Sequence, residues 1–158
     1  MTASRKPSPA VRRVLPSELD RAVEVLSRSF AEDPVLRWAL KDGSGFPGAL
    51  EACLAFVMKQ QCAAHDALFV TEDWHGVAAW LPPGGLEALA LPPLRLLRLL
   101  PVALRCTGWG RLPRCLAITT AMEDRHPTSP PHWYLYFVGV EPAQRRAGPG
   151  RKTVAGRS

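Results

Sequence analysis

Residues 133–140, WYLYFVGV, are eight consecutive aromatic, aliphatic or glycine positions, closed by Glu141-Pro142. A run this rich in aromatic and β-branched side chains, of ordinary strand length and stopped by a turn signal, predicts a β-strand. Both alternating sets are apolar: Tyr134, Tyr136, Val138 and Val140 on one, Trp133, Leu135, Phe137 and Gly139 on the other. Such a strand belongs in the centre of a sheet covered on two sides. Gly139 interrupts the pattern. Without a side chain it admits a neighbouring backbone or ligand, or marks a bulge that splays the strand from its partner. The next residues, Arg145-Arg146-Ala147-Gly148-Pro149-Gly150, combine two glycines that can turn amides toward one point with two guanidiniums suited to phosphate oxygens. The expected ligand is an anion.

At these positions the chain resembles the GNAT superfamily of acetyl-CoA-dependent N-acetyltransferases. The family motif is an apolar strand, a Val-x-Pro turn and then Gln/Arg-x-x-Gly-x-Gly/Ala opening a helix. Here Val140-Glu141-Pro142 is followed by Arg145, Gly148 and Gly150 at that spacing. The resemblance implies an α+β fold with a central mixed, mainly antiparallel sheet flanked by helices. It also implies that amides of Arg145, Arg146, Ala147, Gly148 and Gly150 hold the pyrophosphate of acetyl-CoA. Backbone groups of Val138, Gly139 and Val140 would pair with the pantetheine arm as if it were another strand. The acceptor is then a small-molecule or protein amine, and no metal is required.

Two features depart from the family pattern. Pro149 stands where an aliphatic residue is usual, and proline withholds an amide from a loop that presents amides. Residues 151–158 contain one aliphatic side chain larger than alanine, Val154, so a helix with a buried stripe is not expected there. The sequence therefore reads as a disordered leader at 1–10, an incomplete acetyltransferase domain at 11–150 lacking the C-terminal part of the fold, and a disordered tail at 151–158. A frameshifted or truncated enzyme is one explanation; a non-catalytic acyl-CoA-binding module is another. An incomplete sheet would leave an exposed edge through which the chain could self-associate.

Composition is that of one globular unit, 47% hydrophobic and 22% charged over 158 residues. The net charge of +6 sits at the ends, since residues 7–142 sum to −1, and a nucleic-acid footprint needs basic residues spread over a folded face. Nucleic acid is not an expected partner. The first ten residues lack the apolar core of a secretion signal, and Cys53, Cys62, Cys106 and Cys115 have no Cys-x-x-Cys spacing. Four reduced thiols in the cytoplasm are expected. The histidines do not fall at helical ligand intervals, which leaves no metal site.

The elements follow from periodicity. Val11–Leu15 is a short strand, and Ser17 is read as the N-cap of a helix on which Leu19, Ala22, Val23, Leu26 and Phe30 recur at helical spacing, ending near Asp33-Pro34. A short helix over 35–40, a third from Pro47 to about Ala64, and a hairpin of Ala67–Thr71 with Val77–Leu81 complete the first half. Leu86–Asp124 is Leu- and Arg-rich. Pro92, Pro93 and Pro101 with Arg95 and Arg98 leave no apolar run long enough to cross a bilayer. The choice there lies between an amphipathic membrane-surface helix and a pair of helices broken at the prolines, with arginine stems over apolar neighbours. An insertion of this kind helps shape the acceptor pocket in the family, which favours the second.

Acetyl transfer needs a base for the amine and a route for the departing thiolate. Glu123, His126, His132 and Tyr134 stand just before or at the start of the central strand and are the candidates. Packing or solvent exposure is the simpler role for each of them.

Overall fold

The computed structural model describes residues 10–85, 93–127 and 129–145. Within these residues four strands form one antiparallel sheet in the order β1 (Val11–Arg13), β2 (Leu68–Thr71), β3 (Gly76–Leu81), β4 (Tyr134–Val140). Among the described residues four α-helices accompany it: α1 (Leu19–Phe30), α2 (Pro34–Ala39), α3 (Phe46–Val57) and α4 (Pro93–Arg125). The α+β class expected from the sequence is the class observed.

The β2–β3 hairpin pairs Leu68 with Ala79 and Val70 with Val77, so Leu68, Val70, Val77, Ala79 and Leu81 share one face. All five enter the main core with Ala22, Val23, Val25 and Leu26 of α1 and Leu50 and Leu54 of α3. The chain turns between the two strands around buried Thr71, whose Oγ1 accepts from Gly76 N at 3.0 Å. Trp74 takes a left-handed conformation there (φ 60°), and the Arg21 guanidinium lies 4.3 Å from its ring centroid.

Several local expectations are corrected. Ser17 makes no cap. Pro16–Glu18 is a 3-10 turn, and it is the Glu18 carboxylate that reaches back, accepting from Leu15 N at 3.0 Å and from the Arg12 guanidinium at 2.7 Å. The first strand stops at Arg13, although Val14 N still donates to Leu68 O at 3.0 Å. The third helix ends at Val57 and continues as a π turn over Met58–Cys62 and a 3-10 turn over Ala63–His65. The wider turn keeps Met58 and Cys62 both fully buried.

The long helical segment is not broken at its prolines. Pro101 and Pro113 lie inside α4, each forgoing one bond to the carbonyl four residues back, and the break comes at Gly108 (φ 66°, ψ 177°). That backbone geometry is nearly confined to glycine. Beyond the break, Arg111 fastens α4 to the end of α2, donating to Arg37 O and Leu40 O at 2.8 Å and pairing with Asp42. Arg114 donates to Trp38 O at 3.2 Å and lies over its ring. Arg111 and Arg114 thus serve the helix–helix contact through their guanidiniums, whereas the sequence reading expects arginines at the surface with their stems over apolar neighbours.

The strand β4 also differs from expectation. It begins at Tyr134, and among the described strands it is the last in the sheet, with a strand partner on one side only. Its cover is partial: Val138 is 37% exposed whereas Gly139 is buried.

Candidate functional site

A cleft of about 430 Å³ opens between the C-terminal half of β4 and the turn joining α1 to α2. The strand side is Val138, Gly139, Val140 and, beyond the turn, Arg145; the helix side is Ser29, Phe30, Glu32, Asp33 and Pro34.

The helix side is held by local chemistry. Pro34 occupies the first helical position of α2, and Asp33 Oδ1 caps the helix by accepting from Leu36 N at 2.8 Å. Arg37 then folds back, donating to Ala31 O at 2.9 Å and pairing with Glu32 at 2.7 Å. The Phe30 ring meets Phe137 edge to face with centroids 5.5 Å apart, locking the end of α1 against β4.

Gly139 explains how closely the two sides meet. A Cβ there would stand 2.7 Å from Leu26 Cδ2 and 2.9 Å from both Ser29 Cβ and Ser29 Oγ. The neighbour that Gly139 admits is helix α1. It also pairs regularly with Val77, so the bulge is not there. The irregularity comes upstream: Ala79 pairs with Phe137 and Trp80 with Leu135, leaving Tyr136 as the extra residue of β4. Burial pushes the Tyr136 phenol well above its ordinary pKa, so it stays protonated at any physiological pH.

Four of the predicted anion and pantetheine residues, Val138, Gly139, Val140 and Arg145, are therefore brought together in the cleft. The Arg145 guanidinium is at its rim, donating to Ser29 O at the end of α1. Arg146, Ala147, Gly148 and Gly150 lie outside the described residues, as do the expected leader up to residue 9 and the tail from 151.

The predicted catalytic residues gather elsewhere. His126 is the hub: its ring lies 4.8 Å from that of His132 and 4.7 Å, edge to face, from that of Tyr134. Glu123 is in the last turns of α4, its carbonyl accepting from His126 N at 3.3 Å, and His132 Nδ1 is 2.7 Å from Pro130 O. None of Glu123, His132 and Tyr134 lines the cleft. Tyr134 is four residues from Val138 along β4, about 13 Å at the usual rise per residue. Conversely, the cleft residues of the α1–α2 turn were missed. Their only mark in the sequence is Asp33-Pro34, legible as a helix boundary and not as a wall.

Among the described residues no group of three or more His, Cys, Asp or Glu side chains could hold a metal ion, and no helix is long and apolar enough to cross a membrane. All four cysteines are free thiols.

The fold is shared with a known enzyme class. The chain superposes on a crystal structure from Corynebacterium glutamicum described as histone acetyltransferase HPA2 and related acetyltransferase, with a TM-score of 0.64 and 26% identity. The match spans 94% of this chain and 69% of that one. No family model matches the chain, and no curated protein does. The α+β architecture read from the sequence, an antiparallel sheet with flanking helices, is consistent with the GNAT fold of this structural neighbour.

Proposed function

We propose that residues 11–150 form a GNAT-type N-acetyltransferase domain that takes acetyl-CoA and passes its acetyl group to a primary amine. The observation that carries this reading is the cleft along Val138–Val140, with Arg145 at its rim, in a fold shared with an acetyltransferase. In this reading the coenzyme A phosphates sit on Arg145 and on backbone amides of the residues that follow it in sequence, which the chemistry of guanidinium and backbone donors toward phosphate supports. The outer edge of β4, which has no strand partner among the described residues, offers N–H and C=O groups to the amides of the pantetheine arm.

With the phosphates at the C-terminal end of β4, the arm runs back along the strand and carries the thioester toward the bulge at Tyr136. The neutral amine then attacks the thioester carbonyl, the tetrahedral intermediate collapses, and the thiolate leaves with the proton that the amine gives up. His132, Tyr134 and Glu123 stand at that end of the strand and are the residues we assign to accept or relay this proton. The four free thiols fit a reducing, cytoplasmic setting.

The test is a pair of measurements on the full chain. Acetyl-CoA at a hundred times its Kd should stabilise the protein by about 2.7 kcal/mol, a rise in Tm of roughly 5–10 °C for a chain of this size. Release of free coenzyme A in the presence of a panel of amines reports transfer. No shift at millimolar acetyl-CoA refutes the reading. The placement of Glu123, His132 and Tyr134 outside the cleft favours a second reading, a module that binds an acyl-CoA without turnover; binding without coenzyme A release would establish it.

A further inference from the structure

The turn that follows β4 is gripped by two consecutive residues of α1. Arg28 donates through Nε to Glu141 Oε1 at 2.8 Å and approaches the same oxygen through Nη2 at 2.5 Å, while its Nη1 holds Glu24 one helical turn back. Glu141 is the first residue after the strand, and its side chain is only 18% exposed. Its backbone is held as well: Glu141 N donates to His75 O at 2.9 Å and Glu141 O accepts from Gln144 N at 2.8 Å. Four residues on, Arg145 donates to the carbonyl of Ser29, the neighbour of Arg28. Residues 28 and 29 therefore hold both ends of the 141–145 turn, 113 and 116 residues away in sequence.

The helix that does the holding is itself fixed. It lies so close to β4 that only glycine fits at 139, and Phe30 is seated on Phe137. The ion pair thus transmits a rigid contact to a turn that has no other described side-chain anchor to α1 before Arg145. Nothing in the core requires a charged pair at this place, since Arg28 is largely at the surface. What the pair does join is the start of the turn that carries Arg145, a lining residue of the cleft.

We infer that Arg28 and Glu141 are a positioning pair that presents the 141–145 turn, and with it Arg145, to an anionic ligand in the cleft. The inference rests on the acetyl-CoA reading for the identity of the ligand and on the geometry alone for the clamp. Neither residue touches the ligand. Glu141 orients the turn, Arg28 orients Glu141, and Arg145 is free to exchange Ser29 O for a phosphate oxygen.

The experiment compares the full chain with E141Q, R28M, the charge swap R28E/E141R, and E24Q, which removes only the partner within the helix. Two quantities are read: hydrogen exchange at the Gln144 amide without ligand, and the Kd of acetyl-CoA by calorimetry. E141Q and R28M should speed Gln144 exchange and weaken acetyl-CoA binding by about fivefold, the loss of one partly exposed charge-assisted contact. The swap should restore a large part of both, and E24Q should leave both at the level of the unsubstituted chain. Unchanged exchange in E141Q and R28M overturns the clamp. Faster exchange with an unchanged Kd overturns its positioning role. If the unsubstituted chain fails to bind acetyl-CoA while exchange responds as described, the clamp stands and the acetyl-CoA reading falls.

Discussion

Replacing Gly139 by alanine tests whether the closeness of α1 and β4 is a property of the protein or of a ligand. The backbone at Gly139 is outside the left-handed region, so alanine is conformationally allowed and should by itself stabilise by about 0.4–1 kcal/mol through the unfolded chain. Against this stands the new methyl group, which would meet Leu26 Cδ2 at 2.7 Å and Ser29 Cβ and Oγ at 2.9 Å. Ser29 cannot simply rotate away, because its Cβ is fixed by the helix and its Oγ donates to Val25 O at 2.9 Å. Overpacking of this kind costs about 1–3 kcal/mol, and three contacts under 3 Å place it in the upper half of that range. The net expectation is a loss of about 1–2.5 kcal/mol, or a fall in Tm of roughly 2–10 °C for a chain of this length.

Urea unfolding without ligand measures this directly, with the m-value as a check that the unfolded state is unaltered. A second substitution sharpens it. Leu26 is fully buried, so L26A alone should cost about 2–5 kcal/mol, but it also removes the atom nearest to the new methyl group. The cost of G139A measured in the L26A background should therefore fall by at least about 0.5 kcal/mol. An unliganded G139A protein as stable as the parent would refute the argument and return Gly139 to the role of admitting a ligand.

Gly108 and Gly110 should respond oppositely to alanine. At Gly108 space is open except for the flexible Lys41 side chain, yet its φ of 66° with ψ of 177° makes the backbone strained for any other residue, so G108A should cost about 1–3 kcal/mol; G110A meets nothing and should stabilise by up to about 1 kcal/mol. Acid sensitivity should depend on Glu18, which the Arg12 guanidinium and the Leu15 amide lower from an ordinary 4.5 to about 2. The native state holds that carboxylate ionised, so its stabilisation is complete above pH 4.5 and disappears as the pH falls toward 2; E18Q should flatten this limb, and parallel curves for the two proteins would contradict the assignment. Cys62, pushed up to about 12 by burial, should resist iodoacetamide at pH 8 until the protein unfolds, and its contribution to stability should decline as the pH rises from its ordinary value near 9 toward 12. Native labelling of Cys62 as fast as of half-buried Cys115 would count against that environment.

What the sequence makes legible is set by the range of the interactions involved. The hairpin is readable because its signals are local: β-rich runs on either side of a polar turn, closed by a threonine and a glycine that bond to each other. The strand from Tyr134 is readable for the same reason. The break in α4 is not, because prolines are the residues that local rules nominate, and whether the helix survives Pro101 and Pro113 depends on its packing against α2 and α3. Gly108 carries the same local signal as Gly110 two residues later, and only one of them leaves the helix. The bulge at Tyr136 has no signal at all in β4, since it is defined by the pairing of Trp80 with Leu135 across the sheet.

The same distinction divides the site. An anion loop is a backbone device, written in consecutive residues; of the one expected here only Arg145 is described, and it lines the same cleft as Val138–Val140 of the strand. A general base is defined by its distance to a reacting carbon, which consecutive residues do not encode. His132 and Tyr134 share a neighbourhood because the His126 ring meets both, at the opposite end of β4 from Arg145, while Glu123 is tied to His126 only through its backbone carbonyl. That separation is a length of strand, and in the proposed reaction it is the length the pantetheine arm has to cover. Gly139, which the sequence offers equally to a ligand or to a neighbouring backbone, is filled from the helix side, so an arm lying along β4 has only the outer edge and the Val138 side to use. If the chain transfers acetyl groups, the thioester must arrive from that side, and substitutions at exposed Val138 should raise the KM for acetyl-CoA without lowering Tm, whereas those at Gly139 lower Tm first.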